Sequence, residues 1–231
     1  MLLRYETEDG AGGADAGAAA VWLRPEALAT LLELNELSLA LLAEQAAVRG
    51  ASASPLLRQV GELWRSLDGA ARRRAAACPY LLVDAGFADP PRWRPPPAPQ
   101  VDDAGHGDYA AFFTVPAAAE VARLVFTYAW HLACSHATAA RVLLGMPAAS
   151  AGLIGHYTLR QIQTLAERHP EWLRPRWPAR VEVWRELLQA AAGGEALALE
   201  RARLRGLTLL AAEVRFSAAS FPARPGTSPA R

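Results

Sequence analysis

His131, Cys134 and His136 form H-x-x-C-x-H, a set whose types suit a metal. Zinc accepts imidazole nitrogen and thiolate sulfur in a tetrahedral shell. On a helix His131 and Cys134 share a face, at i and i+3, but His136 is turned roughly 140° from Cys134. A helix cannot deliver all three to one ion, and no fourth ligand lies nearby. Buried polar residues and a packed thiol are therefore the favoured reading. Cys78-Pro79 resembles a thiolate-haem pair in type, yet a helix C-terminus ahead of proline explains it better. H-E-x-x-H, G-x-S-x-G, C-x-x-C and D-x-D do not occur. A Ser or Cys nucleophile with a His partner has no local sequence to orient it. An enzyme would rest on His131 and Cys134 alone, so no catalytic residue, metal site or cofactor is assigned.

Composition narrows the chemistry further. The 231 residues contain no lysine, and all 24 basic side chains are Arg, against 23 acids, for a net charge of +1. Lysine Schiff-base catalysis and P-loop or kinase-type phosphate lysines are excluded. The near-zero net charge also excludes bulk attraction to DNA or anionic lipid, though a local patch can act. Two cysteines are too few for a disulfide framework and point to a reducing compartment. The N-terminus lacks the basic and apolar regions of a signal peptide. The uncharged run from Leu124 to Ala140 is short for a span and reads as a buried helix. The expectation is a cytoplasmic protein without membrane contact.

One segment concentrates Arg among indoles. From Arg168 to Arg185 the sequence RHPEWLRPRWPARVEVWR sets five arginines beside Trp172, Trp177 and Trp184. Arg between indoles can hold phosphate while bases stack alongside. Equally, the Trp side chains can pack a helix corner that the arginines coat. Residues 1 to 50 carry three Arg against eight acids, so the basic excess lies in the remainder. The candidates for phosphate contact are Arg160, Arg168, Arg174 and Arg176.

The elements that must position these groups are all helical. Pro25 suits the first position of a helix running to about Arg49 and stopping at Gly50. Ser54-Pro55 opens the next, Asp68-Gly69 breaks it, and a short Arg72–Arg74 helix ends before Pro79. The run DPPRWRPPPAPQ, 89 to 100, holds six prolines and is expected to form an extended connector. Pro116 opens a long helix to about His136, with short helices to Leu144 and Ile154 after it. Thr158-Leu159-Arg160-Gln161 is a capping box, and its helix is stopped by Pro170. Helices from Pro178 to Gly193 and from 195 to 215 complete the chain. No hairpin or alternating strand is evident. The expected fold is an all-α multi-helix bundle: an arm at 1–22, helical halves at 23–88 and 116–215, a connector at 89–115, and a disordered tail at 216–231.

The halves align without a gap at an offset of 91. Leu34 falls on Val125, Leu37 on Tyr128, Leu41 on Leu132, Pro79 on Pro170 and Leu82 on Leu173. The match reads either as chance in a Leu- and Ala-rich chain or as a duplication with the two long helices packed together. Leu34, Leu37, Leu41, Tyr128 and Leu132 are accordingly the candidate interaction residues.

Residues 140 to 168, ARVLLGMPAASAGLIGHYTLRQIQTLAER, resemble part of the flagellar transcriptional activator FlhD family. The features carrying the resemblance are Leu144-Gly145-Met146, Thr158-Leu159-Arg160-Gln161 and Leu165-Ala166-Glu167, with Val125 to Ala137 similar to the family's dimer helix. They span about 50 of the 231 residues. The resemblance implies a helical regulator that dimerises through long helices and assists a zinc-binding partner at promoter DNA. This chain is about twice the family's usual length, which suits a fused pseudo-dimer, and its first half lacks the Thr-Leu-x-Gln cap. Two functions follow: an FlhD-like regulator working with a protein partner or as a homodimer, with DNA held on the Arg/Trp face, or a helical adaptor or chaperone-like module without nucleic-acid contact.

Overall fold

A computed structural model describes residues 25–48, 54–94 and 111–220. The expected arm at 1–22, the second half of the proline run and the end of the tail lie outside these residues. The fold is all-α, with nine α-helices among the described residues and one two-residue ladder. The first half contains α1 (Pro25–Ala47), α2 (Pro55–Ser66) and α3 (Gly69–Ala76), then β1 (Val83–Asp84) and a 3-10 turn at Pro90–Trp93. The second half contains α4 (Ala117–Ser135), α5 (Ala137–Leu144), α6 (Ala148–Gly155) and α7 (Leu159–Arg168). A 3-10 turn (Pro170–Trp172), β2 (Arg174–Pro175), α8 (Val181–Gly193) and α9 (Ala196–Ser220) follow.

Local rules explain the boundaries. The Asp68 carboxylate accepts from the Ala71 amide at 2.6 Å, so Asp68-Gly69 both ends α2 and caps α3. At Thr158 the capping box is complete, with the Gln161 side chain accepting from the Thr158 amide at 2.8 Å. Gly145 and Gly194 close α5 and α8 in the left-handed conformation.

Three expectations are corrected. The proline run does not begin as an extended connector: Pro90–Trp93 form a 3-10 turn, and Trp93 is 0% exposed. Proline occupies the first positions of that turn, where its fixed φ fits and no amide is needed. The Trp93 indole N–H donates to the Gly86 carbonyl at 3.0 Å, and its ring meets Phe87, Phe126 and Trp172. The connector's far end is also anchored, since Gln45 accepts from the Thr114 amide at 2.7 Å and Phe113 and Val115 are buried. Secondly, β1 and β2 form an antiparallel ladder that no alternation announced. Finally, α9 continues to Ser220, past the expected start of the tail.

The two halves place like elements at like positions. Pro25 and Pro116 stand 91 apart at the starts of the long helices. In the ladder Val83 pairs with Pro175 and Asp84 with Arg174. With 91 subtracted, Arg174 is position 83 and Pro175 is position 84. Each residue thus pairs with its neighbour's counterpart, the register a two-fold axis through the ladder requires. Gly86 (φ 76°) and Trp177 (φ 48°), again 91 apart, are both left-handed. Trp93 and Trp184 stand at the same offset, and each indole donates to a carbonyl seven or eight residues back, Gly86 and Arg176. Packing is exchanged across the halves: α2 lies against α8, while α6 lies against the Pro90–Trp93 turn. The long helices α1 and α4 pack on one another between them.

Candidate interaction groove

A groove of about 450 Å³ lies where α1 and α4 diverge and α5 begins. Helix α1 contributes Thr30, Glu33, Leu34 and Leu37, at spacings that place them on one face. Helix α4 contributes Leu124, Thr127, Tyr128, His131 and Leu132. His136, between α4 and α5, and Ala139 and Leu143 of α5 complete the wall. Leu34, Leu132, Ala139 and Leu143 are buried members of the core. Leu37 and Leu124 remain 41% and 38% exposed.

Tyr128 is the unusual member of the wall. It is 7% exposed, and its hydroxyl is buried without a hydrogen-bond partner among the described residues. Buried hydroxyls nearly always find partners. Burial pushes its phenol up to about 12.

The five candidate interaction residues come together at this helix pair, but largely within one chain. Leu34, Leu41, Tyr128 and Leu132 are buried in the core, and only Leu37 is open to solvent. Leu41 lies outside the groove wall. The surface expected to meet a second subunit is mostly buried within the same protein, chiefly against helices of each long helix's own half.

The candidate phosphate contacts are dispersed. Arg160 and Arg168 are exposed on α7 and make no ion pair among the described residues. Arg174 is half-buried in β2. Arg176 corrects the expectation outright, being 4% exposed and committed to the interior. It donates to the Leu81 carbonyl at 2.6 Å and the Leu144 carbonyl at 2.5 Å, and faces Glu213 at 3.6 Å and Asp84 at 3.9 Å. One guanidinium thus ties β1, the end of α5 and α9 together. Burial pushes the Glu213 carboxyl above its usual range, against the pull of Arg176, and Glu213 also accepts from the Trp177 indole at 2.7 Å. Trp172 and Trp184 are core residues and Trp177 is half-buried against Tyr80. The indoles therefore pack a corner and do not offer a stacking platform.

The H-x-x-C-x-H set is not a buried polar cluster. His131 and Cys134 are exposed and His136 is half-buried at the α4–α5 junction. His131 and His136 meet the groove, whereas the Cys134 thiol faces the Gly155 carbonyl at 3.7 Å. Among the described residues no group of three His, Cys, Asp or Glu could hold a metal ion. Cys78 follows the end of α3, buried, with its thiol pushed up to about 11 by burial. Among the described residues no single helix is long and apolar enough to cross a membrane. The signals missed in sequence were Tyr128's lack of a partner and the burial of Arg176, both set by residues distant in the chain.

No family model, curated protein or solved structure matches this chain.

Proposed function

We propose that this protein is a helical regulatory or adaptor module, built as a fused pseudo-dimer, that acts through protein contact at the groove between α1 and α4. The observation that carries this reading is the groove itself, whose lip presents Leu37 and Leu124 to solvent between the two long helices. What supports a contact surface here is that these two leucines, one from each long helix, border the same concave apolar wall. The equivalent positions of the ladder, the left-handed residues and the paired Trp donors support duplication of one unit. The FlhD-like reading of the second half rests on the sequence features at Leu144-Gly145-Met146 and Thr158-Leu159-Arg160-Gln161.

Between the two functional readings, the geometry favours contact without nucleic acid. Of the four Arg candidates only Arg160 and Arg168 are exposed. Two phosphate contacts give a salt slope of only about 2, well short of what holds a protein on duplex DNA at physiological salt.

A photo-crosslinking amino acid at position 37 or 124, in cells producing the protein, tests the reading. The expected result is one discrete crosslinked protein from both positions and none from exposed Arg73 on α3. Equal labelling from all three, or no adduct from 37 and 124, would overturn it.

A further inference from the structure

The offset of 91 residues that relates the halves also bears on what fills the groove. Just before α4, Phe113 is buried and Phe112 packs against the core. The next residue, Thr114, ties this segment to α1. Its amide donates to the Gln45 side chain at 2.7 Å, and its hydroxyl accepts from the same side chain at 3.1 Å. The start of α4 is thereby set beside the last turn of α1, so the two long helices run antiparallel.

Subtracting 91 turns Phe112-Phe113-Thr114 into Val21-Trp22-Leu23, and Gln45 is the counterpart of His136. The two-fold relation therefore sets the segment before α1 beside the end of α4, at His136. The groove lies at that place. Thr30, near the start of α1, lines it together with His131 and His136, and Leu34, Leu132 and Leu143 supply apolar wall. His136 also has the chemistry of its counterpart, since a neutral imidazole nitrogen accepts from an amide as the Gln45 oxygen does. The chain is long enough. Trp22 stands three residues before Pro25, as Phe113 stands three before Pro116. Three extended residues reach about 10 Å, and Thr30 lies only about 7.5 Å along the helix from Pro25.

We propose that the segment Val21-Trp22-Leu23 occupies the groove of its own chain, with the Trp22 indole on the apolar wall as the counterpart of Phe113. Leu37 lies two turns beyond Thr30 in α1, and Leu124 two turns before His131 in α4. Antiparallel helices put both leucines at the opposite end, where the segment leaves them open. The trough left to a partner is shortened to that end, a consequence that rests on the contact reading above. The docking itself rests only on the two-fold relation of the halves.

The test uses the purified full chain with p-benzoylphenylalanine, an aromatic photo-crosslinker, in place of Trp22, followed by digestion and mass spectrometry. The expected result is an adduct within one chain, joining position 22 to peptides holding residues 30–37 or 127–143. Trp22→Ala should lower the melting temperature by about 4–8 °C, the loss of one largely buried aromatic side chain from a protein of this size. Trp22→Phe, which places the residue type of Phe113 there, should recover most of that loss. Adducts confined to other surfaces, adducts joining two chains, or a melting temperature unmoved by Trp22→Ala would each overturn the proposal. All are read on purified protein, so none depends on a partner crosslinking at positions 37 and 124.

Discussion

Arg176 and Glu213 are coupled at the level of single side chains. Replacing Arg176 with Met would leave the Leu81 and Leu144 carbonyls and the Glu213 carboxylate without their cation. Leaving buried carbonyls without their donor costs about 1–3 kcal/mol. The loss should also depend on pH. Burial already raises Glu213 above its ordinary value of 4.5, and the guanidinium offsets part of that rise. A raised carboxyl pKa means the folded state holds its proton more tightly than the unfolded chain. The associated stability is full at low pH and is lost as pH climbs through the folded value. Without Arg176 that loss grows, so Arg176→Met should be further below wild type in urea midpoint at pH 7 than at pH 4.5. An equal deficit at both pH values would remove the coupling. None of this was legible in the sequence, where Arg176 reads as one of several surface arginines. Its burial is decided by carbonyls 95 and 32 residues away in the chain.

Helices, in contrast, announce themselves through local chemistry. Pro25, Pro55, Asp68, Gly145, Thr158 and Gly194 mark starts and stops because each solves a terminal problem with its own backbone or side chain. The turn at Pro90–Trp93 escaped that reasoning because proline density argues against regular structure. Its signal was present all the same, in a Trp standing 91 residues before Trp184. How helices dock is less local. Helix α9 reaches the core through Gly206, where an added Cβ would collide with the Tyr80 ring. Gly206→Ala raises helix propensity yet forces that contact apart, so a loss of about 1–3 kcal/mol is expected in thermal unfolding. A stabilised variant would mean that α9 does not close on Tyr80 as described.

At the scale of the whole molecule, the halves are interlocked. Helix α2 lies on α8, α6 lies on the Pro90–Trp93 turn, and the ladder joins β1 to β2, so each half completes the other's core. Apolar spacing in α1 and α4 foretold that the long helices meet, because Leu34, Leu41, Tyr128 and Leu132 needed cover. The duplication reading already put that meeting within one chain; it foretold neither which helices cover the pair nor that a groove opens beside it. Those outcomes depend on contacts between residues far apart in the chain, such as the α5 residues Ala139 and Leu143 in the groove wall. Our central claim is that this pair forms one body with its working groove made jointly by both halves. The most direct measurement is to insert a protease site between residues 95 and 110, cut it, and record mass by light scattering with far-ultraviolet circular dichroism. The account predicts that the fragments stay together as one particle of undiminished helicity. Two fragments that separate and each remain folded would contradict it.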